Sequence, residues 1–236
     1  MPGLGTLINM LIIVVGGLIG LTARNYLKQQ LLDTLMVAMS ACIIFIGIAG
    51  AVQESLVFDG QKFALTNLMM LVVTFIIGTV IGEFIDLDKK LEDFGAWLRV
   101  KTKNEGEGGF AQAFLTASFT VCIGAMAIIG SIKDATGDPS ILIAKAMMDG
   151  IVVMIMTTTL GKGCIYSAIP VGIVQGLVTL LAIFISPWLT NQALSNISLT
   201  GSIMIFLIGV SLLTGKHFRI ANMLPTLVVA ALWAWL

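Results

Sequence analysis

The chain has 236 residues, 58% of them hydrophobic and only 11% charged, with a mean hydropathy of +1.02; soluble domains carry about 25% charged residues, so a water-soluble fold is excluded. Its basic and acidic residues cancel to a formal net charge of zero, which gives no bulk attraction to nucleic acid or to an anionic surface. Cys42, Cys122 and Cys164 form no CxxC pair and read as small packing residues, not as a disulfide framework.

What remains is an all-α, polytopic transmembrane helical bundle whose main partner is the lipid bilayer. A helix needs about 20 apolar residues to cross the hydrocarbon core. Apolar runs and the charges that break them predict spans over residues 5–22, 34–53, 66–85, 111–132, 141–160, 166–186, 200–215 and 220–236. The first run lacks the basic flank and small-residue cleavage site of a secretory signal and is expected to stay as a helix. Between the third and fourth spans, Leu87, Leu91 and Phe94 share one helical face, as in an amphipathic helix on the membrane surface, and Lys101 to Gly109 reads as a flexible tether. Only Lys216, His217 and Arg219 separate the last two spans, and the final run is barely long enough to cross.

Eight spans sort the basic residues by side. Odd-numbered loops hold Arg24, Lys28, Lys89, Lys90, Arg99, Lys101, Lys103, Lys162, Lys216 and Arg219, whereas even-numbered loops hold only Lys62 and Lys133, with Lys145 inside the fifth span. The positive-inside rule therefore predicts both termini outside the cytoplasm.

The spans also repeat. Gly-xxx-Gly pairs occur at Gly16/Gly20, Gly78/Gly82 and Gly172/Gly176, and the span after each carries Ile46-Gly47, Ile123-Gly124 or Ile208-Gly209. Ile143-Ala144-Lys145 in the fifth span matches Ile220-Ala221-Asn222 in the eighth, and Ile151-Val152 matches Val228-Val229. The chain is thus expected to hold a partial copy (1–62), a three-helix repeat (63–162) and a second, inverted repeat (163–236), because a unit with an odd number of spans must re-enter from the opposite side. Inverted repeats recur in secondary transporters; a channel or a scaffold built by duplication is the alternative. The glycine pairs are expected to pack helices, within one chain or in a homo-oligomer.

Rare polar groups mark the candidate pathway. Asp138 or Ser140 can cap the fifth span, with Pro139 tolerated in its first turn. Lys145 and Asp149 follow, four apart on one face. Either they neutralise each other at an ion or proton-coupling site, or Lys145 snorkels outward and Asp149 satisfies it. Asn222 and Pro225 lie at the matching place in the eighth span, where the proline is expected to kink the helix and free the carbonyl near residue 221. Gln175 can bridge a close helix contact, and Glu83 sits at the cytoplasmic end of the third span, either solvated or gating an inner opening. The hydroxyls of Thr116, Ser118, Thr120 and Thr157 to Thr159 either line a pathway or let helices approach. His217 has no ligand cluster around it and no HExxH, GxSxG or Walker-type loop is present, so no enzyme, metal or cofactor is expected.

The strings Gly137-Asp138-Pro139-Ser140-Ile141-Leu142-Ile143-Ala144-Lys145 and Asn222-Met223-Leu224-Pro225, the Ser167-Ala168-Ile169-Pro170 entrance to the sixth span and the GxxxGE of Gly78 to Glu83 resemble the bacterial YqgA/YdfK family, labelled a domain of unknown function, over nearly the whole chain. The resemblance implies an inner-membrane protein of transporter type with no settled substrate, and it carries no catalytic or binding residue to these positions.

Overall fold

The computed structural model describes residues 2–24, 26–58, 63–101, 109–122, 125–135, 137–185, 190–216 and 218–236. Ten α-helices account for almost all of them: α1 (Leu4–Arg24), α2 (Gln29–Ser55), α3 (Leu68–Ile85), α4 (Leu87–Lys101), α5 (Phe110–Cys122), α6 (Ala125–Ala135), α7 (Ser140–Leu160), α8 (Ala168–Ile185), α9 (Asn191–Thr214) and α10 (Pro225–Trp233). Short 3-10 turns, Lys162–Ser167 and Ile220–Met223, lead into α8 and α10. Strands β1 (Leu56–Phe58) and β2 (Phe63–Leu65) form a small antiparallel hairpin between α2 and α3, closed by the Thr66 N–H donating to the Ser55 carbonyl at 2.7 Å. Among the described residues six helices are long and apolar enough to cross a membrane, as a lipid-embedded helical fold requires.

Two compact units emerge, each assembled from separated stretches: Met1–Met39 with Leu91–Ser186, and Ser40–Lys90 with Pro187–Leu236. In the first unit α1 lies along α7. A Cβ on Gly16 would collide with the Gly150 backbone and one on Gly20 with the Met154 backbone, while Gly5 faces Leu142, so the two helices run the same way in close contact. Asp134 of α6 fixes the start of α1, its carboxylate accepting the Gly5 and Thr6 N–H groups at 3.1 and 3.3 Å; first-turn donors have no partner inside their own helix. Elsewhere in this unit, Leu98 of α4 packs on Phe110, Phe114 and Leu115, and Phe94 meets Phe114 at 5.9 Å, so the apolar face of α4 is docked on α5.

In the second unit α3 packs antiparallel on α10: Gly78 faces Thr226, and Gly82 faces the Asn222 backbone. Helices α2 and α9 meet reciprocally, Gly47 against Phe206 and Gly209 against Ile44, so each glycine faces the residue three before the other. Met70, Leu199 and Ala230 form this unit's core. Helix α3 ends on Asp86 in the left-handed conformation (φ 53°), and α4 starts at the next residue.

Three expectations change. The span expected over 111–132 is two helices, α5 and α6, inclined by 73°; Ile123-Gly124, expected to pair with the other Ile-Gly motifs, lies outside the described residues, as do Lys62, His217 and most of the tether. The eighth span is not a kinked helix over 220–236. Pro225 opens α10 at its first position, where the missing N–H costs nothing, and the Ala221 carbonyl is not free, since it accepts the Leu224 N–H at 3.1 Å. Gly176, expected to pack, would carry a methyl with nothing within 4 Å of it among the described residues. The N-cap position of α7 is Pro139, which makes no side-chain bond, and Asp138 just before it caps the first turn from outside, accepting the Ser140 N–H at 3.1 Å. Hydrogen bonds from Ser140, side chain first, hold the Asp138 carboxyl below its ordinary value. The cap therefore contributes above about pH 4 and is lost as pH falls through the lowered value.

The glycine contacts separate by substitution. Gly82→Ala places a methyl against fixed Asn222 backbone and is expected to cost roughly 1–3 kcal/mol, whereas Gly176→Ala is expected to leave the unfolding midpoint of the detergent-purified protein unchanged or raised.

Candidate functional site

The first unit encloses a polar cluster between apolar helices. Lys145 and Asp149, one turn apart on α7, are 7% and 6% exposed. The Lys145 Nζ donates to Asp149 Oδ2 at 2.5 Å and to the Val121 carbonyl at 2.6 Å. That carbonyl belongs to the last described turn of α5. The lysine thus finds its second acceptor beside the bend between α5 and α6. Lys145 does not snorkel; its charge is turned inward.

Asp149 is held from a second side. Asn9 of α1 donates through Nδ2 to Asp149 Oδ2 at 3.0 Å and to Gln175 Oε1 of α8 at 3.4 Å. Asn9 and Gln175 are 0% and 1% exposed. Gln175 thus makes the cross-helix bridge expected of it. The bridge depends on the close approach of α1 to α7 at Gly16 and Gly20 and of Met10 to Gly172. The network is incomplete: Asn9 Oδ1, an acceptor, and Gln175 Nε2, a donor, have no hydrogen-bond partner among the described residues. Native interiors leave few buried polar atoms unpaired, and those that are unpaired call for an explanation.

Asn222, Pro225 and Glu83 belong to the second unit and serve the junction of α3, α4 and α10. Asn222 Oδ1 accepts the Asp88 N–H at 2.7 Å, capping the start of α4. Arg219 binds Glu83 at 2.6 Å and also Asp86; all three side chains are exposed, so these pairs contribute little stability. Glu83 is therefore a surface group paired with Arg219. The positions that match Lys145 and Asp149 are Asn222 and Thr226, both buried, and Asn222 Nδ2 and Thr226 Oγ1 have no partner among the described residues. The hydroxyls of Ser118, Thr120, Thr157, Thr158 and Thr159 all donate to carbonyls of their own helices, which favours helix approach over a hydrated lining.

Asn9 and Asp134 join the site without having stood out in the sequence. Asn9 carried a readable signal, a lone amide in a charge-free apolar helix. Asp134 had none, since a carboxylate in a predicted loop reads as solvated.

Comparison with known proteins gives this geometry a family. Residues 4–235 match the family described as Protein of unknown function (DUF554). The chain belongs to this family. It is 27% identical over 227 residues to the uncharacterized membrane protein YdfK of Bacillus subtilis (strain 168), covering 95% of this chain and 93% of that one. It is 27% identical over 242 residues to the uncharacterized protein YqgA of Escherichia coli (strain K12), covering 98% of each. No solved structure matches. The chain is a membrane protein, an apolar helical bundle with a buried ion pair.

Removing one member of a buried pair strands the other charge, so Lys145→Met and Asp149→Leu are each expected to destabilise by roughly 3–5 kcal/mol. The double substitution is expected to cost less than either single change, as read from unfolding midpoints in one detergent; two single costs that add independently would dissociate the pair.

Proposed function

We propose that the protein is a secondary transporter of a small solute in a bacterial cytoplasmic membrane, with both termini outside the cytoplasm and the Asn9–Lys145–Asp149–Gln175 cluster as its solute or coupling-ion site. The observation that carries the reading is a self-neutralised ion pair, closed from solvent in apolar helices and flanked by an unmet acceptor and an unmet donor. Intramembrane ionisable groups are costly and default to pathways and relays. A scaffold would be served as well by apolar packing at these positions.

Two further features support an inverted architecture. The α2–α9 contact through Gly47 and Gly209 is reciprocal and antiparallel, as two equivalent elements of opposite orientation would make it. The matching positions 145/149 and 222/226 each hold buried polar pairs beside a glycine ridge, one charged and one neutral. Within the units, α1 runs with α7 and against α8, and α3 runs against α10. Six of the described helices are long enough to cross; if the bent α5–α6 pair and the shorter α10 supply the other two crossings, an alternating topology gives these senses.

A channel is the competing reading, and flux separates the two. In proteoliposomes, counterflow is expected to saturate for at least one solute in a panel of neutral amino acids, monocarboxylates and alkali cations. Asp149→Asn is expected to slow it by at least about tenfold. Non-saturating conductance steps in a planar bilayer would favour the channel, and undiminished counterflow in the variant would remove Asp149 from the mechanism.

A further inference from the structure

The cluster presents four recognition groups of four kinds. It holds an ammonium on Lys145, a carboxylate on Asp149, a free acceptor at Asn9 Oδ1 and a free donor at Gln175 Nε2. We propose that this set takes a small zwitterion bearing one ammonium and one carboxylate, with an uncharged side chain, whose two charges exchange for the internal Lys145–Asp149 bond. The proposal rests on the transporter reading above and adds the class of solute.

Charge conservation in a low-dielectric interior selects among ligands. With both side chains kept charged, a lone alkali cation on Asp149 would leave Lys145 unpaired, and a lone anion on Lys145 would leave Asp149 so; either strands a buried charge. A zwitterion strands neither. Its ammonium binds Asp149 and Asn9 Oδ1, and its carboxylate binds Lys145 and the Gln175 Nε2 group. Asn9 is already oriented for this, because its Nδ2 is committed to Asp149 Oδ2 and Gln175 Oε1. One unmet acceptor and one unmet donor are the complement of that ligand's hydrogen-bonding groups. With no ligand, the lysine and aspartate neutralise each other, so the closed site carries no net charge in either state.

Candidate space for the side chain lies on the same two helices as the amides, in a cleft that Asn9, Gln175, Lys145 and Asp149 do not themselves line. A cleft of about 690 Å³ runs between α1 and α8, lined by Thr6, Met10, Gly172, Gly176 and Thr179 among others, none of its lining residues charged. The Thr6 hydroxyl is buried on this wall without a partner among the described residues. A charged side chain would meet no counter-charge there, which restricts the class to neutral zwitterions.

The test is equilibrium binding to the full-length protein in lipid nanodiscs, with no gradient present, read as the shift in thermal unfolding midpoint. The probes are glycine, alanine, serine, valine and leucine, with isovalerate and isobutylamine as single-charge counterparts of valine, and sodium and potassium chloride. At about a hundredfold excess over Kd, at least one of the amino acids is expected to raise the midpoint by roughly 5 °C or more, and the single-charge compounds are expected not to. Asn9→Ala and Gln175→Leu, which keep both charges and their pairing, are each expected to weaken binding about tenfold. An equal shift from isobutylamine or from either salt would overturn the proposal in favour of a cation site. An equal shift from isovalerate would overturn it in favour of an anion site. No shift from any amino acid with a folded, monodisperse protein would overturn the zwitterion class, and the counterflow measurement would still decide transport separately.

Discussion

An ammonium and a carboxylate closed off together inside a lipid-soluble bundle constrain everything packed around them. Neither charge is tolerable alone at that depth, so each needs hydrogen bonds from elements that sequence separation keeps far apart. Lys145 takes a second acceptor from the end of α5, and Asp149 takes a donor from α1. The close α1–α7 seam serves the pair, because it brings Asn9 within reach of Asp149. A bulkier residue at Gly16 would hold α1 away from Gly150. Glycines in α1 therefore act on the polar cluster although none of them touches it.

The second unit repeats this plan in a neutral form. Its glycine ridge on α3 faces Asn222 and Thr226 where the first unit has a lysine and an aspartate on the corresponding helix. Without charge there is no demand for converging partners, and Asn222 instead caps α4 through the Asp88 N–H. The seams differ in sense too: α1 runs parallel to α7, and α3 runs antiparallel to α10. The two units share a packing device and part company in electrostatics.

Much of this was legible in the sequence because membrane helices write their signals in simple terms. Apolar runs located most of the helices, although α2 and α9 begin at Gln29 and Asn191, well before the expected starts at residues 34 and 200, because their opening turns are polar; the four-residue spacing of Lys145 and Asp149 forced them onto one face. Gln175 was readable as a cross-helix bridge because an amide between two glycines sits on a surface that another helix can approach. What escaped depends on contacts across more than a hundred residues. Asn9 reaches Asp149, and Asp134 caps α1, only after α1 has docked. Pro225 misled for a local reason. A proline inside an apolar run signals a kink, but here the preceding residues form a 3-10 turn and the proline starts the helix.

Alternate exposure of the cluster to the two sides of the membrane is the claim on which the account stands. It is tested most directly by cysteine accessibility at position 175 in oriented proteoliposomes. Cys42, Cys122 and Cys164 are first replaced by alanine, Gln175→Cys is introduced, and a membrane-impermeant methanethiosulfonate is applied from one face at a time. The account predicts modification from either face of the folded protein. Modification from one face alone, or from neither, would contradict it.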